Sequence, residues 1–368
     1  MNVSNLSERV VRRLLSQRDL VSLLVIALSV FAVFTLTTST FFTTISFQSM
    51  GFQVSEVALL SLAIMLSMLT GGIDLSVVSI SAISAIVIVK LFAATGAGTS
   101  GTASIWQVIG ICAVGLLTGA ACGVLNGFLI AKLRITPILA TLATLQILNG
   151  IGIVWTGGAA VYGMPDNFLN IGGGYVAKVP IPILFLAGGA IVTAIFVNRS
   201  GMGLRIRLVG ANETAAQYSG LNPARVLYAT YIASGLLASL AGVVIASRAA
   251  SASADYGTSY LLLAIVIVVL GGVNPLGGYG TVLGVLLSAF VLQMVSTGFN
   301  MVGFNAFAYQ VAQGAILVVV IGMNTLGQRY GVGWRALLRP LLRRHGAADD
   351  EPGVPPLPPS DAATQRSP

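Results

Sequence analysis

The stretch NRSGMGLRIRLVGANETAAQYSGLNPAR, Asn198 to Arg225, is the one long basic interruption in a chain that is otherwise almost wholly apolar. It carries Arg199, Arg205, Arg207 and Arg225, and such cations mark the loops of membrane proteins that face the cytoplasm. Within it, ETAAQYSG reads as a short helix. Glu213, Ala215, Ala216 and Gly220 give it a small-residue face, and Gly210 and Asn212 lead into it. A small face allows close approach of another protein, so the loop is a candidate docking element for a soluble partner. An ordinary solvated loop is the alternative.

On either side of this loop the composition is that of a membrane protein. Of 368 residues, 56% are hydrophobic and 8% charged, against about 25% charged in soluble domains. Between residues 20 and 327 the only acids are Glu56, Asp74, Asp166, Glu213 and Asp255. Apolar runs of the ~20 residues needed to cross a bilayer recur throughout. The expectation is an all-α polytopic membrane protein of about ten transmembrane helices, with Gly-rich breaks near 71–74 and 271–280. The expected spans are 20–42, 53–70, 75–95, 105–130, 136–156, 180–197, 226–247, 259–273, 279–299 and 306–326. Residues 1–19 form an N-terminal segment, 20–327 the transmembrane domain with its loop at 198–225, and 328–368 a basic segment with a Pro-rich tail.

Charge sets the orientation. With the N-terminus inside, the cytoplasmic segments collect Arg9, Arg12, Arg13 and Arg18, then Lys132 and Arg134, the four loop arginines, and Arg329, Arg335, Arg339, Arg343 and Arg344. Lys178, Arg248 and Lys90 remain outside. That asymmetry places both termini in the cytoplasm. It also accounts for the net charge of +8 without nucleic acid as a partner. The basic start followed by an apolar run resembles a signal peptide, but the run is long enough to span and reads as a retained first helix. Asn5 and Glu8 have capping-box spacing. The tail after His345, rich in Pro, Ser and acids, cannot build a core and is expected to be disordered.

Little reactive chemistry is present. Cys112 and Cys122 are the only cysteines, and ten residues on one helix separate them by about 15 Å, too far to bridge. The single histidine, His345, lies in the tail, so no catalytic or metal set is expected in the membrane. No GxxxxGK[ST] loop occurs to cradle ATP phosphates. A proton-coupled carrier needs buried carboxylates, and only Asp74 and Glu56 could serve.

Polar groups at the breaks and on helix faces are the candidate lining of a path. GGIDLSVVSISAIS begins at Gly71 and GGVNPLGGYGTVLG at Gly271. Unwound backbone inside a membrane is tolerated where protein or water satisfies it, as along a transport route. Asp74, followed by Ser76, can instead cap the third span, and Asn274 with Pro275 fits an N-cap followed by a first-turn proline. Gln293, Ser296, Thr297 and Asn300 fall on one helical face of the ninth span. Thr141, Thr144, Gln146 and Asn149 mark the fifth, and Gln310 and Gln313 the tenth. Asn126 closes the candidate set. These groups can hydrogen-bond a hydroxyl-rich solute or join helices to one another.

GGIDLSVVS at Gly71–Ser79, NGFLIAKLRITPILATLATL at Asn126–Leu145 and WTGG at Trp155–Gly158 carry a family likeness, as do VGANETAAQYSG at Val209–Gly220, SGLLASLAGVV at Ser234–Val244 and LGGVNPLGGYGTVLG at Leu270–Gly284. In that order they resemble the permease subunits of bacterial ribose-type sugar importers of the ATP-binding-cassette class, closest to the autoinducer-2 and rhamnose branch. The resemblance implies a ten-helix inner-membrane permease paired with a second permease subunit, identical or paralogous. It implies a cytoplasmic ATPase that holds the ATP and Mg, leaving no cofactor on this chain, and an extracytoplasmic solute-binding protein. Ala215, Ala216 and Gly220 are similar to the loop by which such permeases engage their ATPase. Val78 stands where the family usually has Gly, and Asn274-Pro275 where it usually has a Ser-containing pair. A stand-alone secondary carrier using Asp74, and an importer of nucleosides or branched-chain amino acids, are the alternatives. An intramembrane enzyme is a third, disfavoured by the lack of clustered His, Cys or Asp.

Overall fold

The computed structural model describes residues 18–96, 101–305, 307–316 and 318. The capping pair Asn5 and Glu8, the arginines before Arg18, residues 306, 317 and 319–326 of the expected tenth span and the segment 328–368 lie outside the described residues. Twelve helices are bounded in the rest. They are α1 (Arg18–Thr37), α2 (Thr44–Leu69), α3 (Val77–Ala94), α4 (Ile105–Ala131), α5 (Pro137–Thr156) and α6 (Asp166–Gly173), then α7 (Ile181–Asn198), α8 (Gly201–Ala211), α9 (Glu213–Tyr218), α10 (Pro223–Ala249), α11 (Tyr260–Leu270) and α12 (Val282–Val302). A two-stranded antiparallel ribbon, β1 (Tyr175–Val176) and β2 (Val179–Pro180), joins α6 to α7. Residues 307–316 are helical.

Local chemistry sets most boundaries. Thr43, Ser104, Ser200, Asn222 and Thr281 cap α2, α4, α8, α10 and α12, each side chain accepting from a backbone N–H of the first turn. Such caps satisfy amides that the helix itself leaves unpaired. Pro137 opens α5, where its missing N–H costs nothing. Gly157 and Gly303 end α5 and α12 in the left-handed conformation.

Among the described residues, seven helices are long and apolar enough to cross a membrane: α2, α3, α4, α5, α7, α10 and α12. The expected count of about ten is therefore not confirmed among the described residues. The stretch expected to span at 259–273 is helical only over the 11 residues of α11, about 16 Å of rise, because Gly271 and Gly272 end it. α1 runs 20 residues, Arg18–Thr37, with an apolar run that starts at Leu20. The second span starts at Thr44 rather than at 53, since the cap at Thr43 outweighs the polar Gln48 and Gln53.

The centre of the fold is α2 and α10. Every residue of α2 from Val54 to Leu69 is buried, and α10 packs on α4, α3 and α2. The contact with α4 is made of glycine. A Cβ on Gly119 would lie 2.3 Å from the Gly235 carbonyl oxygen, and one on Gly123 equally close to that of Tyr231. Gly127 meets Tyr228 further along, so the two helices run antiparallel with backbones nearly touching. Small residues at four-residue spacing permit this approach in a membrane, where packing rather than water exclusion joins helices. The outer faces of α4, α5 and α7 present Leu117, Val154 and Val192, a surface suited to lipid.

Candidate coupling and translocation site

The first break is a compact polar knot. Asp74 and Ser76 are fully buried. Asp74 Oδ1 accepts from the Ser76 amide at 3.0 Å and from the Ser76 hydroxyl at 2.6 Å. Its Oδ2 accepts from Ser234 of α10 at 3.0 Å. Asn126 of α4 donates to the Ser76 hydroxyl at 2.7 Å, so a chain of donors runs from α4 to the carboxylate. Thr141 of α5 completes the knot, accepting from the Leu75 amide at 3.2 Å and donating to the Pro137 carbonyl at 2.8 Å. Four of the expected residues, Asp74, Ser76, Asn126 and Thr141, thus come together on three elements. Ser76, not Asp74, occupies the cap position of α3 and makes no side-chain cap bond. Asp74 acts two residues earlier, as a turn that closes on the Ser76 amide.

The second break behaves differently. Asn274 Oδ1 accepts from the Leu276 amide at 3.1 Å, and the Asn274 carbonyl from Gly277 at 2.9 Å. This closes a turn, and the next helix begins only at Val282 with Thr281 as its cap. The expectation that Asn274 and Pro275 open a helix is corrected: Gly277, Gly278 and Gly280 intervene, the first two at positive φ. α11 and α12 then pack antiparallel, with Gly271 against Gly284 and the Ser288 hydroxyl on the Ile267 carbonyl at 2.8 Å.

Both breaks meet the basic loop. Gly210, near the end of α8, is wedged between the Leu69 carbonyl and Gly278, and the Gly278 amide donates to that same carbonyl at 3.0 Å. The knot therefore sits toward the loop end of the helices. Asn126 is only five residues from the end of α4, about 8 Å. Beyond the joint, Asn212 both ends α8 and caps α9, its side chain accepting from Ala215 at 2.8 Å. α9 is outward-facing at Glu213, Ala215 and Tyr218, the last 91% exposed. Gly220 follows in the left-handed conformation with open space around its Cα. Ala216, expected on the docking face, is buried in the core, and Gly210, expected to lead into that face, meets the breaks.

The remaining candidates do not join this cluster. Thr144 is buried with its hydroxyl on the Thr141 carbonyl. Gln293 and Thr297 are buried in a separate group, where Gln293 donates to Gln53 of α2 at 3.2 Å and to Thr297 at 3.3 Å. Ser296 is half-buried, and Asn300 and Gln310 are exposed. Sequence reading misses Ser234, whose hydroxyl completes the Asp74 shell. It also misses the pair of Arg248, at the far end of α10, with Glu56, midway along α2. The glycine face of α4 was open to view as four-residue spacing from Gly115 to Gly127. Neither hydroxyl nor ion pair carries a local pattern, since their partners lie 160 and 192 residues away.

This arrangement of glycine-packed apolar helices around a loop-linked polar knot is that of a membrane transport subunit. The chain matches the family described as branched-chain amino acid transport system / permease component over residues 46–321, and it belongs to that family. It is 32% identical to ribose import permease protein RbsC of Bacillus subtilis over 271 residues, 73% of this chain and 81% of that one. It is 33% identical to RbsC of Haemophilus influenzae over 75% of this chain and 84% of the relative. It is 30% identical to autoinducer 2 import system permease protein LsrD of Photorhabdus temperata over 76% and 83%. No solved structure gives a significant match.

Proposed function

We propose that this chain is the transmembrane permease subunit of an ATP-binding-cassette importer that moves a small sugar or sugar-like solute into the cytoplasm. The observation that carries the reading is the exposed α9 patch, joined through Asn212 and Gly210 to both breaks. The relatives named for ribose and autoinducer 2 import supply the solute class. In this reading Asn212, Glu213, Ala215 and Gly220 receive a cytoplasmic ATPase, which carries the ATP and Mg. A second permease subunit and an extracytoplasmic binding protein complete the complex. Ten spans, the number expected from the sequence, would put both termini on the cytoplasmic side of the inner membrane.

Transport follows alternating access. Nucleotide-driven motion of the loop re-aims the helix starts held by Asp74, Ser76, Asn126 and Thr141. The neutral groups Thr144, Asn274, Gln293, Ser296, Thr297, Asn300 and Gln310 line the route when it opens. Hydroxyl and amide groups suit a solute whose polar surface is itself hydroxyl. Vesicles holding this chain with its ATPase and binding protein should take up radiolabelled D-ribose only with ATP, and uptake should survive a protonophore. Uptake driven by a pH gradient with this chain alone would replace the importer with a secondary carrier.

A further inference from the structure

Three segments far apart in sequence meet as bare backbone at one joint. A Cβ on Gly210 would lie 1.9 Å from the Leu69 carbonyl oxygen and 2.8 Å from the Gly278 nitrogen. One on Gly277 would lie 2.6 Å from the Gly210 carbonyl oxygen and 2.8 Å from the Gly71 nitrogen. Gly71, Gly277 and Gly278 hold φ of +82°, +97° and +82°, which side-chain-bearing residues rarely adopt. Gly278 also rests against the Ala211 methyl group. Apart from that methyl group, which has no rotamers, the contacts named are backbone, so no rotamer change can absorb a displacement there.

We propose that this four-glycine joint makes α8 and the two breaks one rigid body, so that motion of the α9 patch reaches both breaks together. The inference rests on reading α9 as the ATPase docking patch. Interlocked backbone at van der Waals distance cannot slide without clash, and Ile206 and Val209 pin α8 to the core beside the joint. The link from patch to joint has no slack, because Asn212 is shared by α8 and α9. On the far side, Gly72 packs on Pro137 and the Tyr231 hydroxyl, and Asp74 follows two residues on. A turn of α8 therefore re-aims the starts of α3, α5 and α12. Gly71, Gly210, Gly277 and Gly278 are positioning residues for transport.

Spin labels at three exposed sites test this: Leu204 on α8, Leu276 on the second break and Trp106 at the end of α4 remote from Asn126 (62%, 82% and 79% exposed). They are read by pulsed paramagnetic resonance in the complex with its ATPase, Cys112 and Cys122 replaced by alanine. Between nucleotide-free and ATP–vanadate-trapped states, the Leu204–Leu276 distance should stay fixed while Leu276–Trp106 shifts. In Gly210→Ala the Leu276–Trp106 shift should vanish while the assembled complex still hydrolyses ATP, an uncoupling that a merely structural glycine would not give. Should Gly210→Ala fail to assemble, the unmutated glycine joint decides alone. A Leu204–Leu276 change as large as the Leu276–Trp106 change overturns the rigid joint. So does a docked, hydrolysing complex in which Leu276–Trp106 never moves. An ATPase that fails to bind the unmutated chain overturns the docking reading, and the inference with it.

Discussion

Glu56 and Asp74 are the two buried carboxylates among the described residues, and they are held in opposite ways. Glu56, 1% exposed, is bound by the Arg248 guanidinium through both carboxylate oxygens, with Tyr260 nearby. This pair ties the middle of α2 to the end of α10 remote from the basic loop. Asp74 has no cation in its hydrogen-bond shell and accepts only from the Ser76 amide and the hydroxyls of Ser76 and Ser234. The difference teaches which end is built to hold and which to move. A bidentate ion pair in a low-dielectric site resists separation strongly. Hydroxyl donors can turn to other acceptors as helices shift, so a knot made of them can re-form in a second arrangement. The glycine joint adjoins the second kind of site, not the first.

The largest expected effect comes from breaking the pair on its exposed side. Arg248→Ala leaves Glu56 buried and uncompensated, which costs about 3–5 kcal/mol where a buried partner is removed. The lower figure is expected here, because the Arg248 side chain is itself 36% exposed. Glu56→Gln should cost less, since the freed guanidinium can reach water. Reversible unfolding in mixed micelles checks the order. A Glu56→Gln variant less stable than Arg248→Ala would mean that the arginine, not the carboxylate, is the costly charge.

Next comes the knot. Ser234→Ala removes the sole donor to Asp74 Oδ2 and should cost about 1.5–3 kcal/mol, the range for hydrogen bonds to charged groups. Asp74→Asn should be milder, about 1 kcal/mol: its oxygen keeps both Ser76 bonds and its amide donates to a rotated Ser234 hydroxyl. Vesicle uptake should survive Asp74→Asn. Abolished uptake in a folded Asp74→Asn protein would mean that the carboxylate carries a proton, and the contrast with Glu56 would become one of chemistry rather than of mobility.

Much of the helical frame was legible, and the contacts that make it work were not. The span expected at 105–130 is α4, Ile105–Ala131, because Ser104 caps the apolar run and Lys132 follows its end. The short helix in the basic loop was readable from Asn212 and the small residues after it. The eight-residue α6 and its ribbon were not, since the linker from 157 to 180 mixes glycine with isolated apolar residues. Arg248 read as a loop cation because its partner is on another helix. Gly210 read as part of the docking loop for the same reason. Its true neighbours, Leu69 and Gly278, are brought to it only by packing.

The smallest effect is expected at Tyr260, and it measures how complete the arginine's hold is. The Tyr260 hydroxyl lies 3.3 Å from Glu56 Oε2, long for an O–H···O bond, whose usual span is about 2.5–3.0 Å. Arg248 already satisfies both carboxylate oxygens, and the Tyr260 ring packs against the core, a contact that phenylalanine would keep. Tyr260→Phe should therefore change stability by no more than about 0.5–1 kcal/mol, well below Ser234→Ala. The same micelle unfolding measurement compares them directly. If Tyr260→Phe proves as costly as Ser234→Ala, Glu56 depends on neutral donors much as Asp74 does. The remote end would then be no firmer than the knot, and the division between a holding end and a moving end would fail.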